Sequence, residues 1–324
     1  MGPGCKALLT RLEVTVSKTV LLATEKPFSA SARNEVVAII EKAGYTARVL
    51  ESYKGKQPLI EAIADADAAI VRSDIIDAEV LDAAKKLKLV VRAGAGYDNI
   101  DTAAAKAKGI AVMNTPGQNA NAVAELVFGM LVYSARGKFN GKTGTELRGK
   151  TIGLHAFGAV GRAVATVAKG FGMTVLAFDP FVKAEAIQAA GVEAASSLED
   201  LYKRSQYVSL HVPATAETKN SIGKKLISLM PPGATVVNTA RKEIINEAEL
   251  LELLETRKDF RYVSDIAPSD ATLATIKEKF ADKVYFTPAK MGAQTEEANV
   301  NAGLAAARQI VGFFERGEKQ FIVN

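Results

Sequence analysis

The stretch from Thr151 to Asp179 limits what this chain can fold into more than any other. Thr151-Ile152-Gly153-Leu154-His155 is a short apolar run that reads as a strand, and Ala156-Phe157-Gly158-Ala159-Val160-Gly161 follows as a tight turn. A helix from Arg162 to Phe171 comes next, and a second strand, Thr174-Val175-Leu176-Ala177-Phe178, runs into Asp179. Gly158 lets the backbone approach a pyrophosphate, and Gly161 lets helix and strand pack closely. The helix N-terminus points its free N–H groups at the phosphates. Asp179 follows Ala156 by 23 residues, near the offset of about 20 at which a carboxylate meets an adenosine ribose. A carboxylate there accepts from the 2′-OH and repels a 2′-phosphate, which favours NAD over NADP. Ala156 is the one departure, standing where the fingerprint has its first glycine.

Elsewhere short apolar runs alternate with amphipathic helical segments. Thr19–Ala23, Ala47–Leu50, Ala68–Val71, Leu89–Val91 and Ile110–Met113 read as strands, with helices at Ala30–Ala43, Asp77–Lys85 and Thr102–Lys106. After the fingerprint, strands are expected at Tyr207–Val212, Thr235–Asn238, Tyr262–Asp265 and Val284–Thr287. A long apolar helix, Asn121–Ser134, precedes it, and a helix from Glu296 to about Glu315 follows. Such alternation predicts parallel sheets with helices on both faces. The expected architecture is α/β, two doubly wound parallel-sheet domains with a ligand cleft between. One comprises 18–118 with 296–324 and the other 119–295, with 1–17 as an extension.

Composition narrows the partners. The charged share is 24% and the net charge +5, spread along the chain. That suits an anionic substrate or cofactor and is too diffuse for nucleic acid. The single cysteine, Cys5, excludes an internal disulfide framework and fits a reducing compartment. No apolar run approaches the roughly 18 residues of a membrane span, and the first residues carry no signal-peptide core. A soluble, cytoplasmic protein is expected, without a metal site.

Two loops carry polar groups that strand packing does not require. Arg92-Ala93-Gly94-Ala95-Gly96-Tyr97-Asp98-Asn99 follows a strand, and successive N–H groups in so glycine-rich a loop can hold a carboxylate. Asn238-Thr239-Ala240-Arg241 likewise ends a buried strand. Arg241 reads either as a surface guanidinium or as a bidentate clamp on a 2-keto or 2-hydroxy carboxylate, which a planar fork suits. Of the two histidines, His155 falls inside a strand and reads as a core residue.

These loops, with Asn119–Leu126, Leu147–Thr151, His211-Val212-Pro213 and Gly292–Ala298, carry a resemblance to the D-2-hydroxyacid dehydrogenase superfamily, and to its phosphoglycerate dehydrogenase branch. The likeness runs from residue 18 to 324. It implies a flavodoxin-like substrate domain beside a Rossmann NAD domain. It also implies NAD-dependent oxidation of 3-phosphoglycerate to 3-phosphohydroxypyruvate, the first step of phosphorylated serine biosynthesis.

In that family an Arg, an acid and a His surround the reacting carbon. Arg241 matches the first and Asp270 falls where the acid stands, one methylene short of the family's Glu. Asp265 matches an Asp that orients the nicotinamide, and Lys290 stands in place of the His. The resemblance further implies cofactor contacts from His211, Val212, Pro213, Thr239 and Ala240. Substrate contacts would come from Arg72, Ser73, Arg92, Ala93, Gly94, Ala95, Gly96 and Asn119, with the two arginines gripping the phosphate. Lys290 is charged at neutral pH and ready to donate in ketone reduction. As a base it must first lose that proton, so alcohol oxidation is expected to rise with pH. The helix Asn121–Ser134 would form a homodimer. A glyoxylate or hydroxypyruvate reductase, and an NADH-sensing binding protein, are the alternatives.

Overall fold

The computed structural model describes residues 17–324, so Cys5 and nearly all of the expected extension lie outside the described residues. The chain divides into two compact units, one reaching to Thr115 and taking in Gly303–Asn324, the other spanning Pro116–Ala302.

The first unit alternates β1 (Thr19–Thr24), α1 (Ala30–Lys42), β2 (Thr46–Glu51), α2 (Gln57–Ile63), β3 (Ala68–Val71), α3 (Ala78–Ala83), β4 (Leu89–Arg92), α4 (Thr102–Ala107) and β5 (Ala111–Asn114). The strands are parallel in the order β2-β1-β3-β4-β5. Val20–Ala23 and Ala68–Val71 are entirely enclosed, as continuous apolar runs must be when helices cover both faces of a parallel sheet. Side-chain caps start three helices: Ser29 accepts from the Ala32 N–H, Asp77 from Val80 and Asp101 from Ala104. Strand order reverses between β1 and β3, which brings the loops after those two strands together.

The second unit begins with α5 (Ala120–Ala135) and continues β6 (Thr151–His155), α6 (Ala159–Gly170), β7 (Thr174–Phe178), α7 (Ala184–Ala189), β8 (Glu193–Ala194), α8 (Leu198–Arg204) and β9 (Tyr207–Leu210). There follow α9 (Lys224–Ile227), β10 (Thr235–Asn238), α10 (Glu247–Thr256), β11 (Arg261–Ser264), α11 (Asp270–Lys279) and β12 (Val284–Phe286), and the final helix α12 (Glu296–Arg316) starts in this unit and from Gly303 belongs to the first. Seven parallel strands run in the order β12-β11-β10-β9-β6-β7-β8. Alternate residues feed two cores: Val236 and Tyr262 join Tyr202, Leu250 and Phe260 on one face, while Val237 and Val263 join Val127, Leu154 and Val164 on the other. Here the order reverses between β6 and β9, so the turn after His155 and the segment from His211 lie at the switch point.

Several expectations shift. The strand expected over Tyr207–Val212 ends at Leu210, although the His211 N–H still donates to the His155 carbonyl at 3.0 Å. The units meet at Thr115/Pro116 and Ala302/Gly303, rather than at 118/119 and 295/296. Gly117 belongs with the second unit because it sits beside Ala159, 3.5 Å from where its Cβ would be. No helix among the described residues is long and apolar enough to cross a membrane.

Candidate active site

The turn after β6 is built for close approach. Ala156 adopts φ +82, the left-handed region that glycine enters without strain. It therefore takes the shape of the missing glycine. A Cβ on Gly161 would stand 2.5 Å from the Ala156 carbonyl oxygen, so only glycine fits there. Gly158, the exposed N-cap of α6, faces open space. Asp179 ends β7, and its carboxylate accepts from the backbone N–H of Phe157 at 2.8 Å and of Phe181 at 2.9 Å. The acid is thereby fixed beside the turn.

Across the switch point the His211 ring borders Gly161. Its Nε2 is enclosed without a hydrogen-bond partner among the described residues, as is the Thr239 hydroxyl. Burial, and then the neighbouring His155, hold His211 down to about 3, so the ring is neutral. An unpaired His211 nitrogen beside a helix N-terminus, a cradle kept open by glycine and an acid fixed beside the turn together fit NAD. Arg162 escaped the sequence reading. It lies in the first turn of α6 with its guanidinium 4.6 Å from the Phe157 ring centroid. A cation there opposes the helix dipole unless an anion joins it, and that mismatch was the available signal. Phe181, 95% exposed directly after Asp179-Pro180, was missed too.

Three neighbouring strands, β10, β11 and β12, deliver the residues expected to do chemistry. Asn238 closes β10 fully buried. Its Nδ2 donates to the Arg241 carbonyl at 2.9 Å and its Oδ1 accepts from the Ala240 N–H at 2.9 Å. This curls Thr239–Arg241 into a fixed turn and leaves Arg241 half-buried. Asp265 follows β11 at 1% exposure. Its Oδ1 accepts from the Thr287 hydroxyl at 2.8 Å and the Met291 N–H at 2.7 Å, and its Oδ2 from the Gly292 N–H at 2.8 Å. The loop after β12, with exposed Lys290, is anchored by those bonds. Asp270 is the exposed first residue of α11. A carboxylate at that position also suits the helix N-terminus.

In the first unit, Arg72 follows β3 half-buried. Its Nη1 donates to the Lys26 and Pro27 carbonyls at 2.9 and 3.0 Å, and its guanidinium lies 4.9 Å from the Phe28 ring centroid. Burial lowers its proton affinity, while Asp74 opposes that. One arm of the expected phosphate grip thus fastens the loop after β1. Asp74, nearly enclosed, accepts from the Glu25 and Arg72 N–H groups and the Tyr53 hydroxyl, and Ser73 is exposed beside it. Arg92 folds over its own loop, for a Cβ on Gly94 would collide with its Nη1 at 1.4 Å. Thr115 and Asn114 hold the Gly94 and Ala95 carbonyls, while the N–H groups of Gly94, Ala95 and Gly96 have no acceptor among the described residues. Asn119, at the start of α5 in the second unit, encloses its Oδ1 without a partner among the described residues.

Residues 124–288 match the model of the family described as D-isomer specific 2-hydroxyacid dehydrogenase, NAD binding domain. The chain is 39% identical to D-3-phosphoglycerate dehydrogenase of Methanocaldococcus jannaschii, over 79% of this chain and 51% of that one. It is 37% identical to hydroxypyruvate reductase of Thermotoga maritima, over 81% of this chain and 89% of the other. The crystal structure of NAD+-bound 3-phosphoglycerate dehydrogenase from Entamoeba histolytica superposes with a TM-score of 0.84 at 45% identity, covering 95% of this chain and 99% of that one. The chain spans about half the length of several curated phosphoglycerate dehydrogenases that it matches.

Proposed function

The chain belongs to the D-isomer specific 2-hydroxyacid dehydrogenase family, and on that premise we propose that it interconverts 3-phosphoglycerate and 3-phosphohydroxypyruvate. NAD is the cofactor, and when bound it supplies the hydride acceptor or donor. Gly158, Ala159, Val160, Gly161 and Asp179 would hold its pyrophosphate and ribose, with His211, Val212, Pro213, Thr239 and Ala240 alongside.

Arg241 holds the substrate carboxylate and polarises the C2 oxygen, a task for which its planar fork is suited. Lys290 gives that oxygen a proton in ketone reduction and takes it back in alcohol oxidation. In the first unit, the N–H groups of Gly94, Ala95 and Gly96 suit a carboxylate, and Arg72, Ser73 and Arg92 are assigned to the phosphate. Asn119 is assigned to the substrate as well.

One observation carries the reading. Arg241 and Lys290 leave the strands on either side of β11 at the same sheet edge, each on a loop fixed by a buried polar side chain, Asn238 or Asp265. The test follows NADH absorbance with 3-phosphohydroxypyruvate, with hydroxypyruvate, glyoxylate and NADPH in parallel. Rapid turnover of the phosphorylated ketone with NADH alone is expected. No turnover of any ketone, with NADH still bound, would instead favour an NADH-sensing protein.

A reductase of unphosphorylated hydroxypyruvate is the second reading. The Thermotoga relative is matched over 89% of its length, and Arg72 already donates to two carbonyls. Preference for the unphosphorylated ketone would select it. The apolar helix α5 is assigned to a homodimer, which a monomer by sedimentation would exclude.

A further inference from the structure

Asp265 matches a position expected to face the cofactor, yet its visible bonds run elsewhere. Each traces to the fold. Ser264 of β11 pairs with Phe286 of β12, so the residues that follow, Asp265 and Thr287, leave the sheet side by side. The Thr287 N–H donates to the Ser264 carbonyl at 3.1 Å and the Asp265 N–H to the Asn238 carbonyl at 3.0 Å. From this fixed start the carboxylate collects the Thr287 hydroxyl and the N–H groups of Met291 and Gly292. The bonds bracket Lys290: one lies three residues before it, the others one and two residues after. Gly292 completes the contact, since a Cβ there would lie 3.1 Å from Asp265 Oδ2 and 3.3 Å from Val123. A charged acceptor at 1% exposure makes each of these bonds stronger than one in water. An otherwise irregular loop is held at both ends by a single carboxylate.

We propose that Asp265 is the positioning residue for Lys290, clamping the 287–292 segment so that the ammonium is delivered to the reacting oxygen. The proposal rests on the reading of Lys290 as the proton-transfer group. It gives Asp265 a duty separable from any contact with the cofactor, because Thr287 can be altered without changing the carboxylate.

Thr287→Val removes one arm of the clamp and keeps the Asp265 charge. Expected is a fall in kcat of about tenfold, the usual consequence of losing a hydrogen bond to a charged group. NADH affinity, titrated by fluorescence in the absence of ketone, stays unchanged. Thr287→Ser restores kcat. Gly292→Ala, which crowds the other oxygen, gives the same split between kcat and affinity should Thr287→Val fold poorly. Made in a Lys290→Ala background, Thr287→Val has no further effect on kcat, because the group it positions is gone. A parallel loss of NADH affinity would assign the carboxylate to the cofactor and overturn the clamp. An undiminished effect in the Lys290→Ala background would also overturn it, leaving Lys290 as the proton-transfer group. Wild-type kcat in Lys290→Ala alone would remove the reading of Lys290, and the clamp with it.

Discussion

Ala156 shows how much a single torsion angle can say. An L-residue in the left-handed region is destabilised by about 1–2 kcal/mol relative to the right-handed one, and Ala156 sits at φ +82 inside the cofactor turn. Glycine would relieve that strain but lose more chain entropy on folding. Ala156→Gly is therefore expected to stabilise the second unit by up to about 1 kcal/mol in urea unfolding. A loss of stability would mean that the turn is unstrained with alanine. The fingerprint was legible because glycines and a distant acid at fixed offsets leave little else for the segment to be. That alanine copies the glycine torsion was not legible, since its own preference points the other way and tertiary contacts decide. Arg72 was hidden for the same kind of reason: its partners lie 45 and 46 residues away, on the Pro27 and Lys26 carbonyls.

Pairs of elements carry information that neither holds alone. His155 lies in β6 and Tyr202 in α8, and the imidazole Nδ1 meets the phenol oxygen at 3.1 Å inside the core. Burial drives His155 down to about 4, although Asp179 pulls the other way. In the unfolded chain the imidazole titrates near 6.5. Between those values the unfolded state binds the extra proton, so stability is full above about pH 6.5 and falls as pH drops toward 4. The loss attributable to His155 is on the order of 3 kcal/mol, and His211 acts in the same direction. Urea unfolding at pH 7 and pH 4.5 should show the difference, and His155→Phe should reduce it. Equal pH slopes in the two proteins would remove His155 from the account. The strand β6 itself was readable to the residue, as were β3, β7 and β10. The helix α2, seven residues opened by Pro58, and the two-residue β8 were not. Such short elements owe their form to the sheet they lie on, not to a period of their own.

At the scale of the whole molecule, the sheet of the first unit depends on residues distant in sequence. Its edge strand β5 is met by the segment that follows α12. Ile322 bridges Met113 in antiparallel fashion, the Val323 N–H donates to the Val112 carbonyl at 2.9 Å, and the Asn324 amide spans the Val112 N–H and the Ile110 carbonyl. Nothing in the apolarity of Phe321–Val323 indicated an antiparallel partner for an otherwise parallel sheet. Deleting Phe321–Asn324 exposes the edge and removes three backbone or amide bonds to it, each worth about 0.5–1.5 kcal/mol at most once water replaces it. Melting of the first unit should fall by several degrees. The second unit holds the whole cofactor turn within Pro116–Ala302, so NADH should still raise its melting temperature in the shortened chain, as a ligand of the folded state must. Two transitions in calorimetry, one lowered by the deletion and the other still raised by NADH, are the expected outcome. If the deletion also abolishes the NADH-dependent shift, the units do not unfold separately, and the cofactor turn depends on an edge strand it never touches in sequence.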